Sequence, residues 1–248
     1  MEYCSLTYNG QLIDSLIDGY VTANVDGRGI LNRELDAVDV PSRDGTVIIG
    51  QRIEPRIITV YYILKAPNAK VFLERLTELH GILNVDKDVT VKFGDEDYIR
   101  YGRLHTAENP PYDQVQGVGS FEIICQDPYK YSDTAVMTAT GSLTFTPDGK
   151  TESLRPTIQI TLAGSASKIN LLNVSTGKRI ILNGTYSTGD VILIDATKDI
   201  ITRNGGNIKQ HLDFVESDFF HFVISSGDQI SVTPSTATIQ LTYRRRLL

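Results

Sequence analysis

Apolar residues in this chain recur at every second position, in short runs closed by turn-forming residues, and that period admits strands and little else. Phe121, Ile123 and Cys125 share one face of such a run, while Glu122 and Gln126 take the other. Asp127-Pro128 then closes it: proline has no N–H to give a ladder and holds the preceding residue extended, and an aspartate side chain can bond backbone in a turn. The texture changes at this point. The one strong helical pattern lies before it, and a long series of short strands follows, so the stretch from Phe121 to Tyr131 reads as a domain boundary, with domains over residues 1–134 and 135–248.

In the first part, Asn9-Gly10 and Asp26-Gly27-Arg28-Gly29 can supply positive φ at turns between strands. Arg43-Asp44-Gly45 sits at the tip of a hairpin between two β-branched runs, and Arg56 to Leu64 forms a long extended run of a length that suits a central strand. Phe72, Leu76, Leu79 and Leu83 then recur at helical spacing as one apolar stripe, with Asn68 placed to cap and Glu74, Arg75 and Glu78 on the wet side. Val89, Val91 and Phe93 alternate into a turn at Gly94-Asp95-Glu96-Asp97, read as a solvated hairpin tip, since the spaced oxygen ligands and glycine of an EF-hand loop are missing.

After Tyr131 the pattern is all-β. Strands are expected at residues 157–162, 179–182, 191–195, 200–203, 220–224, 229–232 and 238–243, with turns at Asn183-Gly184, Asn204-Gly205-Gly206 and Ser226-Gly227-Asp228, the even spacing of a sandwich or jelly roll.

Composition narrows the function. A chain of 248 residues buries roughly 70–75% of its unfolded surface and needs no staple. Lys and Arg number 24 against 30 Asp and Glu, a net charge of −6, which lacks the basic footprint of a nucleic-acid binder. The N-terminus has neither a positive leader region nor a continuous apolar stretch, and no window approaches the ~18 apolar residues of a membrane span, so synthesis in a cytosol is expected. Cys4 and Cys125 are far apart without metal-ligand spacing and read as buried free thiols.

His80, His105, His211 and His221 are scattered and fall in no zinc or nucleophile motif, and no glycine-rich segment opens a helix after a strand in the phosphate-cradling pattern. No catalytic, cofactor or metal residue is therefore assigned. A glycan-binding β-sandwich acting alone is the alternative to a structural role; it would stack sugar on an exposed aromatic, and with no Trp in the chain the platform would be Tyr186 in a turn. Arg244-Arg245-Arg246, flanked by Tyr243, Leu247 and Leu248, is a candidate contact for a subunit or an acidic partner.

Three features together carry a family resemblance: Val40-Pro41-Ser42-Arg43-Asp44-Gly45 ahead of a helix bracketed by strands, the segment Cys125-Gln126-Asp127-Pro128-Tyr129-Lys130-Tyr131, and a β-rich half closing on Tyr243-Arg244-Arg245-Arg246-Leu247-Leu248. The order resembles the distal tail protein (Dit) family of siphophages over nearly the whole chain. The resemblance implies a mainly β fold: an N-terminal β-sandwich with one α-helix and a hairpin arm, then a C-terminal galectin-like jelly-roll sandwich. It also implies a homo-hexameric ring at the virion tail tip, assembled in the host cytoplasm, through which DNA passes. The ring would join the tail tube protein to the tail-associated fibre or lysin protein, with receptor-binding proteins held on the outer domains in many members. Arg43, Asp44 and Gly45 are then expected at a subunit interface, and Asp127, Pro128 and Tyr129 at a junction that fixes the angle between domains.

Overall fold

The computed structural model describes residues 4–248; the first three residues, part of the N-terminal stretch read above, lie outside it. The chain divides into two compact units, one reaching Tyr131 and also holding Leu248, the other spanning Ser132–Leu247. Each has a hydrophobic core of its own.

In the first unit, β1 (Leu6–Tyr8) and β2 (Gln11–Leu12) form a hairpin whose turn, Asn9-Gly10, has φ of 52° and 77°, the two positive values that such a turn requires. The single helical turn α1 (Ile13–Leu16) follows where only strands were expected. Four residues are too few to print a helical stripe in the sequence. The turn is tied down by Asp14, whose carboxylate accepts from the Leu6 N–H, the Thr22 N–H and the Thr22 hydroxyl. Then come β3 (Tyr20–Asp26), β4 (Arg33–Asp39), β5 (Thr46–Ile53) and β6 (Arg56–Lys65), the helix α2 (Ala69–Leu83), and β7 (Val89–Phe93), β8 (Ile99–Glu108) and β9 (Gln116–Cys125).

Without β4 and β5, these strands form one antiparallel path, β2-β1-β7-β8-β9-β6-β3. β8 joins its two parts by changing partner along its length: residues 99–102 pair with β7 and residues 103–108 with β9. β6 is central, as its length suggested, and pairs on both sides. Its alternate residues Ile58, Val60, Tyr62 and Leu64 are buried. Helix α2 begins where the Asn68 side-chain oxygen accepts from the Val71 N–H at 2.9 Å, and Phe72, Leu76, Leu79 and Leu83 all enter the core. At roughly 1.5–3 kcal/mol for each such side chain, that stripe is what holds the helix to the sheet.

The chain enters the second unit within β10 (Lys130–Thr140). After β11 (Ser142–Thr144), the strands β12 (Thr157–Thr161), β13 (Ala166–Asn173), β14 (Arg179–Tyr186), β15 (Val191–Asp195), β16 (Ile200–Arg203), β17 (Gly206–Asn207), β18 (Gln229–Thr233) and β19 (Thr238–Leu247) build two sheets. Their orders are β17-β16-β15-β12-β19-β10 and β11-β18-β13-β14. Ile158, Ile160, Ile192, Ile239 and Leu241 from one sheet share a single core with Ile169, Leu171, Leu182, Ile230 and Val232 from the other, so the unit is a β-sandwich.

Two expectations are corrected here. Residues 220–224 are not a strand: a 3-10 turn, Phe219–His221, precedes an isolated bridge between Leu154 and Ile224. Phe219 and Phe222, three apart, are the buried pair, whereas Phe220 stands out in solvent, so the apparent two-residue period hid a three-residue one. Tyr186 is not a turn platform. It ends β14 with 1% of its surface exposed, and its hydroxyl shares a 3.1 Å hydrogen bond with His211 Nδ1. The edge-on contact of those two rings is core packing and leaves no face for a sugar.

Candidate assembly surfaces

Among the described residues, the strands β4 and β5 pair with each other and with no other strand. An isolated two-stranded hairpin is marginally stable in water, so this arm is a structure that wants a second surface. Its register sorts the side chains. Arg33, Leu35, Ala37 and Asp39 share one face with their partners Ile53, Gln51, Ile48 and Thr46, and Glu34, Asp36 and Val38 point the other way. A bulge opposite Asp36 and Ala37 adds Ile49 as the extra residue. Ile48 is 57% exposed and Ile49 70%, with Leu35 half exposed between them and the root. The opposite face carries the Glu34–Arg52 ion pair. One side of the arm is thus apolar at its middle, and the other carries the ion pair near the root and the Val38–Val47 pair toward the tip.

Arg43, Asp44 and Gly45 lie in the exposed tip, where the Arg43 N–H donates to the Val40 carbonyl and Ser42 and Gly45 take positive φ. The root of the arm is fixed by Arg56. This side chain is 1% exposed, on the same inward parity as Ile58 and Val60. Its Nη1 donates to the carbonyls of Gly27 and Gly29, each at 2.9 Å, and its Nε to the carbonyl of Pro128 at 3.1 Å. Burial, with the Arg100 guanidinium adding to it, pulls its pKa below the usual arginine value. Three backbone acceptors in a planar fork suit a guanidinium, which spreads its donors as an ammonium does not.

The junction residues meet the arm at this root. Asp127 accepts from the Tyr129 N–H at 3.2 Å and from the Tyr131 hydroxyl at 2.5 Å, closing the turn after β9. A cleft of about 410 Å³ lies between Arg33, Gln51, Arg52 and Ile53 on one side and Pro128 and Tyr129 on the other. Arg244, Arg245 and Arg246 are half-buried within β19, where Arg244 Nε donates to the Ser132 carbonyl and the Arg246 N–H to the Thr151 hydroxyl.

The turn Gly94-Asp95-Glu96-Asp97 is exposed at Gly94, Asp95 and Asp97, as a hairpin tip should be, and it also holds an ion-pair cluster. Arg28 grips both oxygens of Asp95 at 2.6 and 2.8 Å, and the fully buried Arg100 pairs with Glu96, which Lys130 also approaches at 3.7 Å. The Arg28 hydrogen bonds hold the Asp95 carboxyl down at about 2, below its ordinary 3.8. A carboxylate depressed in the folded state stabilises above its unfolded pKa and loses that contribution as pH falls through the folded one. Acid titration should therefore weaken the first unit between about pH 4 and 2, and Asp95→Asn should flatten that stretch of the stability curve. Denaturation midpoints measured across the range check this; identical slopes in both proteins would count against it.

No group of three His, Cys, Asp or Glu among the described residues is placed to hold a metal ion, and no described helix is long and apolar enough to cross a membrane. Both cysteines are free thiols pushed up to about 11 by burial: Cys125 lies in the core, and Cys4, only half-buried, donates to Asp95. His80, His105 and His221 are exposed. Arg56 was missed by sequence reading, although its parity with Ile58, Val60, Tyr62 and Leu64 places it on the inward face.

Residues 14–124 match the phage tail protein RIFT-related domain, and residues 149–247 match the C-terminal domain of the siphovirus-type tail component. The distal tail protein of Bacillus phage SPP1 is 27% identical over 242 residues, covering 94% of this chain and 92% of that protein. The chain belongs to the siphophage distal tail family. It is a structural component of the phage tail. The crystal structure of SPP1 Dit, described as a paradigm of the hub adsorption apparatus in phages infecting Gram-positive hosts, shares the fold across 98% of this chain and 99% of its own, with a TM-score of 0.84 and 22% identity. A chain of the phage P2 baseplate is similar in fold at a TM-score of 0.50 and 10% identity, with 98% of each chain covered.

Proposed function

We propose that this distal tail protein closes into a homo-hexameric ring at the tail tip, with the arm as the ring contact and Arg43, Asp44 and Gly45 at the subunit interface. The carrying observation is the β4–β5 pair, a two-stranded sheet apolar at the middle of one face, with no third strand among the described residues. A ring needs a heterologous interface, in which one patch meets a different patch on the next copy, and a projecting arm meets that need. The ring joins the tail tube protein to the tail-associated fibre or lysin protein, and the second unit serves attachment of host-adsorption proteins, with the half-buried Arg244–Arg246 segment as a contact. Asp127, Pro128 and Tyr129 mark the junction. A net charge of −6 per copy, repeated around a ring, suits a channel that conducts DNA without gripping it.

Light scattering at high protein concentration, alone and with the tail tube and fibre proteins of the same phage, tests the reading. Six-fold rings visible by electron microscopy are the expected result. A strict monomer under both conditions overturns it.

A further inference from the structure

Two clefts open at the root of the arm. Arg33 and Ile53, paired across β4 and β5, line both of them and form the divide. The first, of about 410 Å³, has Pro128 and Tyr129 as its far wall. The second, of about 380 Å³, is walled by Leu31 and Leu248, with Arg28 and Gly29 beside them. Arg56 holds both in place: its Nε donates to the carbonyl of Pro128 in the first cleft and its Nη1 to that of Gly29 in the second. The shape is therefore set before anything enters.

The charges around the divide are uneven. Arg28 gives both Nη groups to Asp95, and Arg52 is paired with Glu34. Among the described residues no carboxylate pairs with Arg33, whose Nη1 donates to Gln51 Oε1 at 3.3 Å, a long bond to a neutral acceptor. A guanidinium carries its donors in a fork that fits a carboxylate through two parallel bonds, each about twice as strong as a bond to a neutral oxygen. On a chain of net charge −6, the exposed Arg33 is thus a cation without an anion, standing between two hollows with apolar walls.

We infer that the paired clefts bind an extended segment of another protein, with an acidic side chain on Arg33 and an apolar side chain in the cleft to either side. Alternate residues of an extended chain share a face and stand about 7 Å apart, so an acidic residue with apolar neighbours two positions away repeats the order of the site: hollow, cation, hollow. Charge selects this occupant. A basic segment would be repelled by Arg28 and Arg33, and a wholly apolar one would cover the Arg33 guanidinium without pairing it. The site belongs to a single copy and goes beyond the ring reading, since it stands whether or not a ring closes.

Anisotropy titration of the full chain with a fluorophore-labelled, end-blocked peptide Leu-Ser-Glu-Ser-Leu tests the site. Saturable binding that weakens with added salt is expected, and exchanging Glu for Gln in the peptide should weaken it about five-fold or more. Arg33→Gln should weaken the acidic peptide to the same extent and leave the Gln peptide unchanged, so that removing both partners costs no more than removing one. Lys70→Gln, on the exposed side of α2, should bind as the parent does. The Gln peptide needs no altered protein, so that comparison holds even if a variant folds poorly. Absence of saturable binding overturns the site, and so does an equal loss in Lys70→Gln, which would mean general attraction to positive charge. A peptide that binds but disperses multimers of the chain in light scattering would assign the clefts to a second copy, overturning this occupant while leaving the ring reading intact.

Discussion

Arg56→Met should destabilise the first unit by about 3–5 kcal/mol, although methionine fills much of the same space and burial of a cation is itself unfavourable. The loss comes from the acceptors left behind. The carbonyls of Gly27, Gly29 and Pro128 sit around a side chain that is 1% exposed, and each buried polar group without its partner costs about 1–3 kcal/mol. Relief from desolvating the guanidinium returns part of that sum. Arg56→Lys should fall between, because an ammonium on a flexible stem cannot satisfy three acceptors held in a fork. A chain of two units need not unfold in one step, so the measurement is denaturation combined with hydrogen exchange resolved by segment. Residues 27–32 and 127–129 should lose protection together, while the core of the second unit, around Leu171 and Ile239, stays unchanged. A loss below about 1 kcal/mol would show that water replaces the guanidinium without difficulty.

That prediction also marks where the sequence stopped being legible. The helix could be read from four residues, because Phe72, Leu76, Leu79 and Leu83 repeat a period that only a helix buries on one side. The Asn9-Gly10 turn and the central strand from Arg56 were equally local. Buried charge is the harder case: Arg56 and Arg100 are both buried, Arg56 held by carbonyls from distant segments and Arg100 by Glu96 four residues earlier, and no local pattern marks either as an inward residue with a partner. The tip of the arm was legible as a hairpin turn, but its isolation was not. Whether β4 and β5 gain a third strand depends on which strands fold beside them, and no local pattern encodes that. Phe219 and Phe222 show the converse failure, in which a short segment fitted two periods and the wrong one was taken.

Gly27→Ala should cost about 2–4 kcal/mol, from two sources that act on the same few atoms. Gly27 has φ of 85°, which a side chain disfavours, and a Cβ there would lie 2.0 Å from the Ile57 carbonyl oxygen. That oxygen is backbone of the central strand and cannot swing aside, so the turn from Gly27 to Gly29 must lift away. The same movement carries the Gly27 carbonyl off Arg56. The two substitutions therefore share one loss, and a double-mutant cycle decides whether they do. Gly27→Ala with Arg56→Met should destabilise by clearly less than the sum of the singles, with a coupling on the order of 1 kcal/mol or more. Strict additivity would mean that the glycine and the arginine hold separate features. Coupling would show that the close approach of Gly27 to β6 and the fork of Arg56 act as one anchor, which fixes where the chain leaves the sheet for the arm.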